Sequence, residues 1–115
     1  MRIAYLSDYT PENINVWSGT QYHVYHALKK VHDVKVVGIG ILDGIKWHHR
    51  ILGTRSVFHP EYYCREIGQI LSDEINKGDY DIVLTCTYHF CVALNINIPI
   101  VYYSDVTFKL YQDFF

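Results

Sequence analysis

Short apolar runs alternate along this chain with segments in which apolar residues recur at helical spacing. The runs are rich in β-branched residues and lack polar alternation, which is typical of strands buried on both faces of a sheet. Strands that alternate with helices predict right-handed crossovers onto a parallel sheet. The predicted fold class is therefore α/β, a Rossmann-like parallel sheet with flanking helices. The predicted strands cover residues 2–6, 34–40, 81–84 and 99–103.

Two longer segments carry the helical pattern, and each has one apolar face. The first is predicted to begin near Thr20, and the second to open at Pro60 and end before Gly78. Shorter helices are predicted over residues 88–94 and 106–115. The predicted buried faces are Val24, Ala27, Leu28 and Val31 in the first helix, and Tyr63, Ile67, Ile70, Leu71 and Ile75 in the second.

Length, composition and net charge argue against several classes of protein. The chain has 115 residues, of which 50% are hydrophobic, so one domain over residues 1–115 with a sizeable core is predicted. Ten Lys and Arg against twelve Asp and Glu leave a net charge of −2 without a basic block, which argues against a nucleic-acid partner. Residues 82–104 lack charge, but Asn and Pro interrupt them, so no transmembrane segment is expected. No signal sequence is apparent and the three cysteines lack disulfide spacing, so a cytoplasmic location is expected.

Candidate ligand-binding residues collect where the predicted strands end, which is where open parallel sheets bind ligands. The connection after the first strand closes with Trp17-Ser18-Gly19-Thr20 at a helix start. Unpaired backbone N–H groups and the helix dipole at such a turn favour a phosphate or a developing oxyanion. Gly19 permits close backbone approach, and Ser18 and Thr20 add hydroxyl donors. The alternative is a capped helix with a glycine for turn geometry.

Asp105 follows the last predicted strand in a largely uncharged neighbourhood. It is a candidate general base or hydroxyl-binding carboxylate. It is equally a candidate helix cap, because Ser104 and Asp105 open a sequence typical of a helix start. His23 and His26 lie three residues apart in the first helix, but no third ligand accompanies them, so neither a metal site nor a cofactor is expected.

Two segments together resemble the N-terminal domain of GT-B glycosyltransferases, in the retaining family 4 that is also called group 1. The first segment is residues 1–7 with the later WSGT turn, and the second is residues 99–108, PIVYYSDVTF. One branch of that family pairs a WSGT turn after the first strand with P-I-V-x-x-S-D-A-T-F after a later strand. Val106 stands where that branch has Ala. The resemblance runs from residue 1 to about residue 111, although residues 41–60 add little to it.

The resemblance implies two Rossmann-like domains that face a cleft, with the nucleotide-sugar donor held mostly by the C-terminal domain and the acceptor mainly by the N-terminal one. It implies that Ser18, Gly19 and Thr20 lie beside the donor diphosphate and sugar. Ser104 and Asp105 would lie near the reacting sugar, where many relatives have His, and Asp105 would be catalytic or bind a sugar hydroxyl. It further implies retention of anomeric configuration without a metal.

Nothing in the 115 residues corresponds to a donor domain, so the sequence is interpreted as an incomplete acceptor-side fragment that is inert alone. Two other functions stay open. One is a stand-alone module that binds a nucleotide or sugar phosphate in the same cleft. The other is a decayed remnant that acts only as an interaction protein, through an exposed sheet edge and Phe114-Phe115. The sequence carries no readable code for the donor sugar, the acceptor or the oligomeric state.

Overall fold

The computed structural model describes residues 1–15, 19–41, 43–45 and 60–104. A four-stranded, all-parallel sheet carries helices on both faces, which confirms the predicted α/β, Rossmann-like class. The helix predicted over residues 106–115 lies outside the described residues. The elements are β1 (Arg2–Leu6), α1 (Thr20–Lys29), β2 (Asp33–Val37), α2 (Pro60–Lys77), β3 (Ile82–Thr85), α3 (Tyr88–Cys91) and β4 (Ile100–Tyr102).

The four strands lie in the order β2-β1-β3-β4, and every neighbouring pair is parallel. The register places Leu6 opposite both Val37 and Thr85, and Thr85 opposite Tyr102. The last residues of all four strands therefore form one row across the sheet. Because the strands are parallel, the polypeptide leaves all of them at this same edge, called here the carboxyl edge.

The sheet buries an apolar cluster on each face. Side chains alternate between faces along a strand, so Ala4 and Leu6 of β1 face one side while Ile3 and Tyr5 face the other. The first face packs against α2 and α3, and the second packs against α1. The residues that complete the two clusters are Val37, Ile45, Ile67, Leu71, Ile75, Val83 and Phe90 on the first face, and Tyr25 and Val34 on the second.

Half of the face predicted for α1 is confirmed: Val24 and Leu28 pack against the core, whereas Ala27 and Val31 do not. Ala27 is exposed, and Val31 lies beyond the end of the helix with 73% of its surface exposed. The fully buried positions are instead Gln21 and Tyr25, with Val24 and Leu28 partly buried. The ring of Tyr25 contacts that of Tyr5 edge-on, with centroids 5.8 Å apart, and this contact helps to set the rotation of the helix.

Helix α2 matches its predicted bounds, and Ile67, Leu71 and Ile75 are buried as expected. Ile70 is 45% exposed, so its place in the predicted face is wrong. Gly68 is buried against Ala93, just after α3, and this close approach turns the packing face of the helix away from Ile70. Neither α2 nor any other helix in the described part of the chain is long and apolar enough to cross a bilayer.

Strand β4 was predicted to be buried and is not. Ile100, Val101 and Tyr102 are 40%, 40% and 48% exposed, because β4 lies last in the order and pairs only with β3 among the described strands. An apolar run predicts a strand, but it does not predict the position of that strand in the sheet.

Replacing Gly68 by Ala is expected to lower the free energy of unfolding by about 2 kcal/mol, because the new methyl group would overlap the backbone and side chain of Ala93. A Gly→Ala change inside a helix normally raises the free energy of unfolding. A decrease at Gly68 would therefore show that α2 approaches Ala93 closely. The matched control is Gly44→Ala, whose added methyl meets nothing within 4 Å. Urea unfolding of both variants measures the difference, and equal stabilities would contradict the packing.

Candidate functional site

The carboxyl edge holds the described part of the predicted site. Gly19 and Thr20 lie at the start of α1, and Ser104 lies two residues beyond β4, where it is exposed. Ser18 and Asp105 lie outside the described residues. The polypeptide reaches α1 from the end of β1, so the N-terminus of the helix and the end of β4 lie on the same side of the sheet.

Gly19 is the N-cap residue of α1 and adopts the left-handed backbone conformation, with φ 82°. A Cβ atom at this position would lie 3.2 Å from the carbonyl oxygen of Ile14, so both the conformation and the space favour glycine. Thr20 is the first helical residue and therefore does not cap the helix. Since glycine has no side chain, the N-cap residue offers no side-chain oxygen to the first-turn N–H groups.

Gln21, the second residue of α1, joins the helix to the carboxyl edge. Its side chain is 2% exposed, and its Oε1 accepts a hydrogen bond from the Ser7 hydroxyl at 2.8 Å. Its Nε2 donates to the Cys86 sulfur at 3.0 Å. Ser7 directly follows β1 and Cys86 directly follows β3, so a single carboxamide bridges the start of α1 and the ends of two neighbouring strands.

Ser7 and Thr85 hold the backbone of the edge in place. The Ser7 hydroxyl also lies 2.7 Å from the Tyr9 carbonyl oxygen, so its proton is shared between two acceptors. Thr85 donates from Oγ1 to the Leu6 carbonyl at 3.0 Å and accepts from the Thr87 N–H at 3.0 Å. These bonds satisfy buried polar groups where the ladder ends, which keeps the strand ends ordered.

Two tyrosines meet on the α1 face of the sheet. The hydroxyl groups of Tyr5 and Tyr103 lie 2.6 Å apart, and they link β1 to the residue that follows β4. Burial raises the pKa of Tyr5 to about 12, although the bond to Tyr103 works in the other direction. Burial also raises the pKa of Tyr103, and the contacts with Tyr5 and Cys86 raise it further. Both phenols are therefore neutral hydrogen-bonding groups at physiological pH.

The loop after β1 lies against α1 through a contact between Glu12 and His26. His26 Nε2 lies 3.1 Å from a Glu12 carboxylate oxygen, and the Tyr22 ring lies 4.3 Å from the His26 ring. No group of three or more His, Cys, Asp or Glu side chains with the spacing of a metal site occurs among residues 1–15, 19–41, 43–45 and 60–104. In the structure, His26 contacts Glu12 and the Tyr22 ring, and the loop packs against the helix at this point.

A separate cavity of about 500 Å³ opens between α2 and a segment that contributes Ile41, Gly44 and Ile45, and it is mostly apolar. None of the predicted site residues is among the described residues that line it, which are Ile41, Gly44, Ile45, Glu66, Gln69 and Ile70. The cavity therefore adds no support to the predicted site.

Sequence reasoning missed Gln21 and the Tyr5–Tyr103 pair. One feature of the sequence could have indicated that Gln21 is buried. It lies four residues before Tyr25, and residues four apart share one face of a helix, here the face that packs on the sheet. A polar residue on the buried face of a helix indicates that its side chain makes a specific hydrogen bond. The tyrosine pair had no local signal, since its members lie 98 residues apart.

Comparison with known proteins adds no identification: no family model, no curated protein and no solved structure matches this chain. The likeness to family 4 glycosyltransferases therefore stays a prediction from the two motifs.

Alkaline pH is expected to destabilise the protein through Tyr5. The unfolded chain loses the Tyr5 proton near pH 10 and the folded chain near pH 12, so unfolding becomes easier as the pH rises between these values. The loss attributable to Tyr5 reaches about 3 kcal/mol at full ionisation. Tyr5→Phe should flatten the fall in stability across this range. Tyr9→Phe, at a 55% exposed tyrosine, is the control. Equal slopes in urea unfolding for the two variants would contradict the assignment.

Proposed function

We propose that this chain is the acceptor-side domain of a GT-B glycosyltransferase that moves a sugar from a nucleotide-sugar donor to an acceptor. Within the complete two-domain enzyme, the start of α1 contacts the donor diphosphate, and the chain alone binds without transferring sugar. The observation that carries the proposal is the N-terminus of α1, which begins at the carboxyl edge behind a left-handed Gly19.

The physical support is electrostatic and steric. The first turn of a helix presents N–H groups without intrahelical partners, and its dipole favours an anion. Gly19 carries no Cβ, which makes room for the Ile14 carbonyl oxygen and lets the preceding loop close onto the start of the helix. Thr20 adds a hydroxyl at the same turn. A diphosphate has the charge and the acceptor oxygens to use the N–H groups and the hydroxyl.

The remaining residues take their proposed roles from the two motifs. Ser18 supplies a second hydroxyl to the diphosphate, and Ser104 supplies a contact near the sugar. Asp105 binds a sugar hydroxyl or acts as a base at the reacting centre. The resemblance assigns the basic donor-binding groups to the second domain, so the isolated chain is expected to bind a nucleoside diphosphate weakly.

The proposal is tested by titrating the isotope-labelled chain with UDP, GDP and ADP and following its amide resonances. Saturable shifts centred on Gly19, Thr20 and Gln21 support it. Absence of any shift at these residues up to millimolar ligand contradicts it. Micromolar affinity in the isolated chain would favour the stand-alone binding module instead, and sugar transfer by the chain alone would disprove its proposed inertness.

Gly19→Val is expected to weaken diphosphate binding more than Ser18→Ala does. The valine must adopt φ 82° and crowds the Ile14 carbonyl, whereas Ser18→Ala removes one hydroxyl. We expect a loss of about tenfold or more for Gly19→Val and about threefold for Ser18→Ala.

The matched control is Gly40→Val, because Gly40 also has positive φ, at 73°, but a Cβ atom there would meet nothing within 4 Å. Its positive φ resembles that at Gly19, and it follows β2 instead of opening α1. Equal losses of affinity in the Gly19 and Gly40 variants, measured by the same titration on folded protein, would show that the turn at Gly19 has only a structural role.

A further inference from the structure

One row of residues on α2 meets the segment that follows α3. Residues four apart share one face of a helix, and the row consists of Cys64, Gly68, Ser72 and Asn76. A Cβ atom on Gly68 would lie 2.7 Å from the Cβ atom of Ala93. The backbone of α2 therefore touches this segment directly, with no side chain between them.

The segment after α3 runs in the same direction as the row on α2. Ala93 lies against Gly68. Farther along, the Asn95 N–H donates to the Ser72 hydroxyl at 2.8 Å. The Asn95 carbonyl accepts a hydrogen bond from the Asn76 side chain at 3.4 Å. Two residues of the segment thus advance about as far as one turn of the helix, which rises about 6 Å in four residues.

The same correspondence places Cys64 beside Cys91. Cys64 lies one turn before Gly68, and Cys91, the last residue of α3, lies two residues before Ala93. Both cysteines are partly exposed, whereas Cys86 is buried. Burial raises the pKa of the Cys91 thiol, a hydrogen bond with its own backbone lowers it, and the nearby Cys64 raises it. This electrostatic effect is a second indication that the two thiols are close.

We propose that Cys64 and Cys91 form a redox-sensitive pair, which hydrogen peroxide oxidises to a disulfide that fixes α3 against α2. The inference is independent of the proposed function. Both residues are thiols in the structure, and both are exposed enough for a small oxidant to reach them. A disulfide requires Cα atoms about 4.4 to 6.8 Å apart, which is the separation expected of facing positions on two segments in backbone contact.

The oxidation consumes one molecule of peroxide in two steps. The thiolate of one cysteine attacks a peroxide oxygen, so that an S–O bond forms, the O–O bond breaks and hydroxide leaves, taking up the proton that the thiol released. The sulfur of the other cysteine attacks the resulting sulfenic acid. The S–S bond forms, and the hydroxyl group leaves as water with the proton of the second thiol. Each sulfur gives up one electron, and the peroxide is reduced to two molecules of water.

The test treats the full chain with hydrogen peroxide, alkylates the remaining thiols with iodoacetamide and maps the linked peptides by mass spectrometry. We expect a disulfide between Cys64 and Cys91, and an alkylated Cys86. The same treatment in guanidinium chloride is the control. In the unfolded chain Cys86 and Cys91 close the shorter loop, so they should pair about tenfold more often than Cys64 and Cys91. The packing of α2 on α3 should reverse that preference in the folded chain.

The effect on α3 is measured by the melting temperature. The oxidised chain is expected to melt about 5 °C higher than the reduced chain, because the disulfide constrains the unfolded state. Dithiothreitol should remove this increase. Cys64→Ser and Cys91→Ser should melt at the same temperature with and without peroxide, and Cys86→Ser, the matched control, should keep the increase.

Two results of the peptide map would overturn the proposal: three alkylated cysteines in the folded chain after excess peroxide, or a disulfide that includes Cys86. A disulfide between Cys64 and Cys91 that leaves the melting temperature unchanged would overturn the fixing of α3. If a serine variant does not fold, the peptide map and the melting temperatures of the unmodified chain decide, because they require no substitution.

Discussion

The parallel pairing of β1 with both β2 and β3 is the constraint on which the rest of this structure depends. It brings Val37, Leu6, Thr85 and Tyr102 into one row, so that all four strands end together. Parallel strands require crossovers, and the crossovers place α1 on one face and α2 on the other. The start of α1 and the polar residues after β1 and β3 meet at a single edge for this reason alone.

Side-chain hydrogen bonds at the carboxyl edge satisfy polar groups that the strand pairing leaves without regular partners. Where a parallel ladder stops, backbone and side-chain polar groups lose their regular partners while they are still buried. Ser7, Gln21 and Thr85 supply hydrogen bonds at this position, and the Tyr5–Tyr103 pair extends the connection to β4. A region that is apolar deeper in the sheet becomes polar within one residue of the strand ends.

The sequence predicted the elements better than it predicted their environment. Hydrophobic periodicity located all four strands and α2, because the local pattern records which residues avoid water. It assigned only part of the α1 face correctly, since Val24 and Leu28 pack on the sheet but Gln21 is buried by hydrogen bonds that no hydrophobicity pattern reports. It placed β4 in the interior, since strand order depends on pairing between distant segments. For the site, the motifs led to Gly19 and Thr20, whereas Tyr5 and Tyr103 needed the three-dimensional structure.

The two outer strands of the sheet differ in how they meet other polypeptides. β2 carries Asp33 and Lys35, charges of the kind that keep an edge strand from pairing with a second chain. β4 carries no charge, and all three of its side chains are substantially exposed. During synthesis and refolding such a strand is a template for aggregation, since its backbone N–H groups donate to, and its C=O groups accept from, an extended chain that pairs with it. The yield of folded protein is therefore expected to depend on concentration more steeply than the stability of the core would suggest.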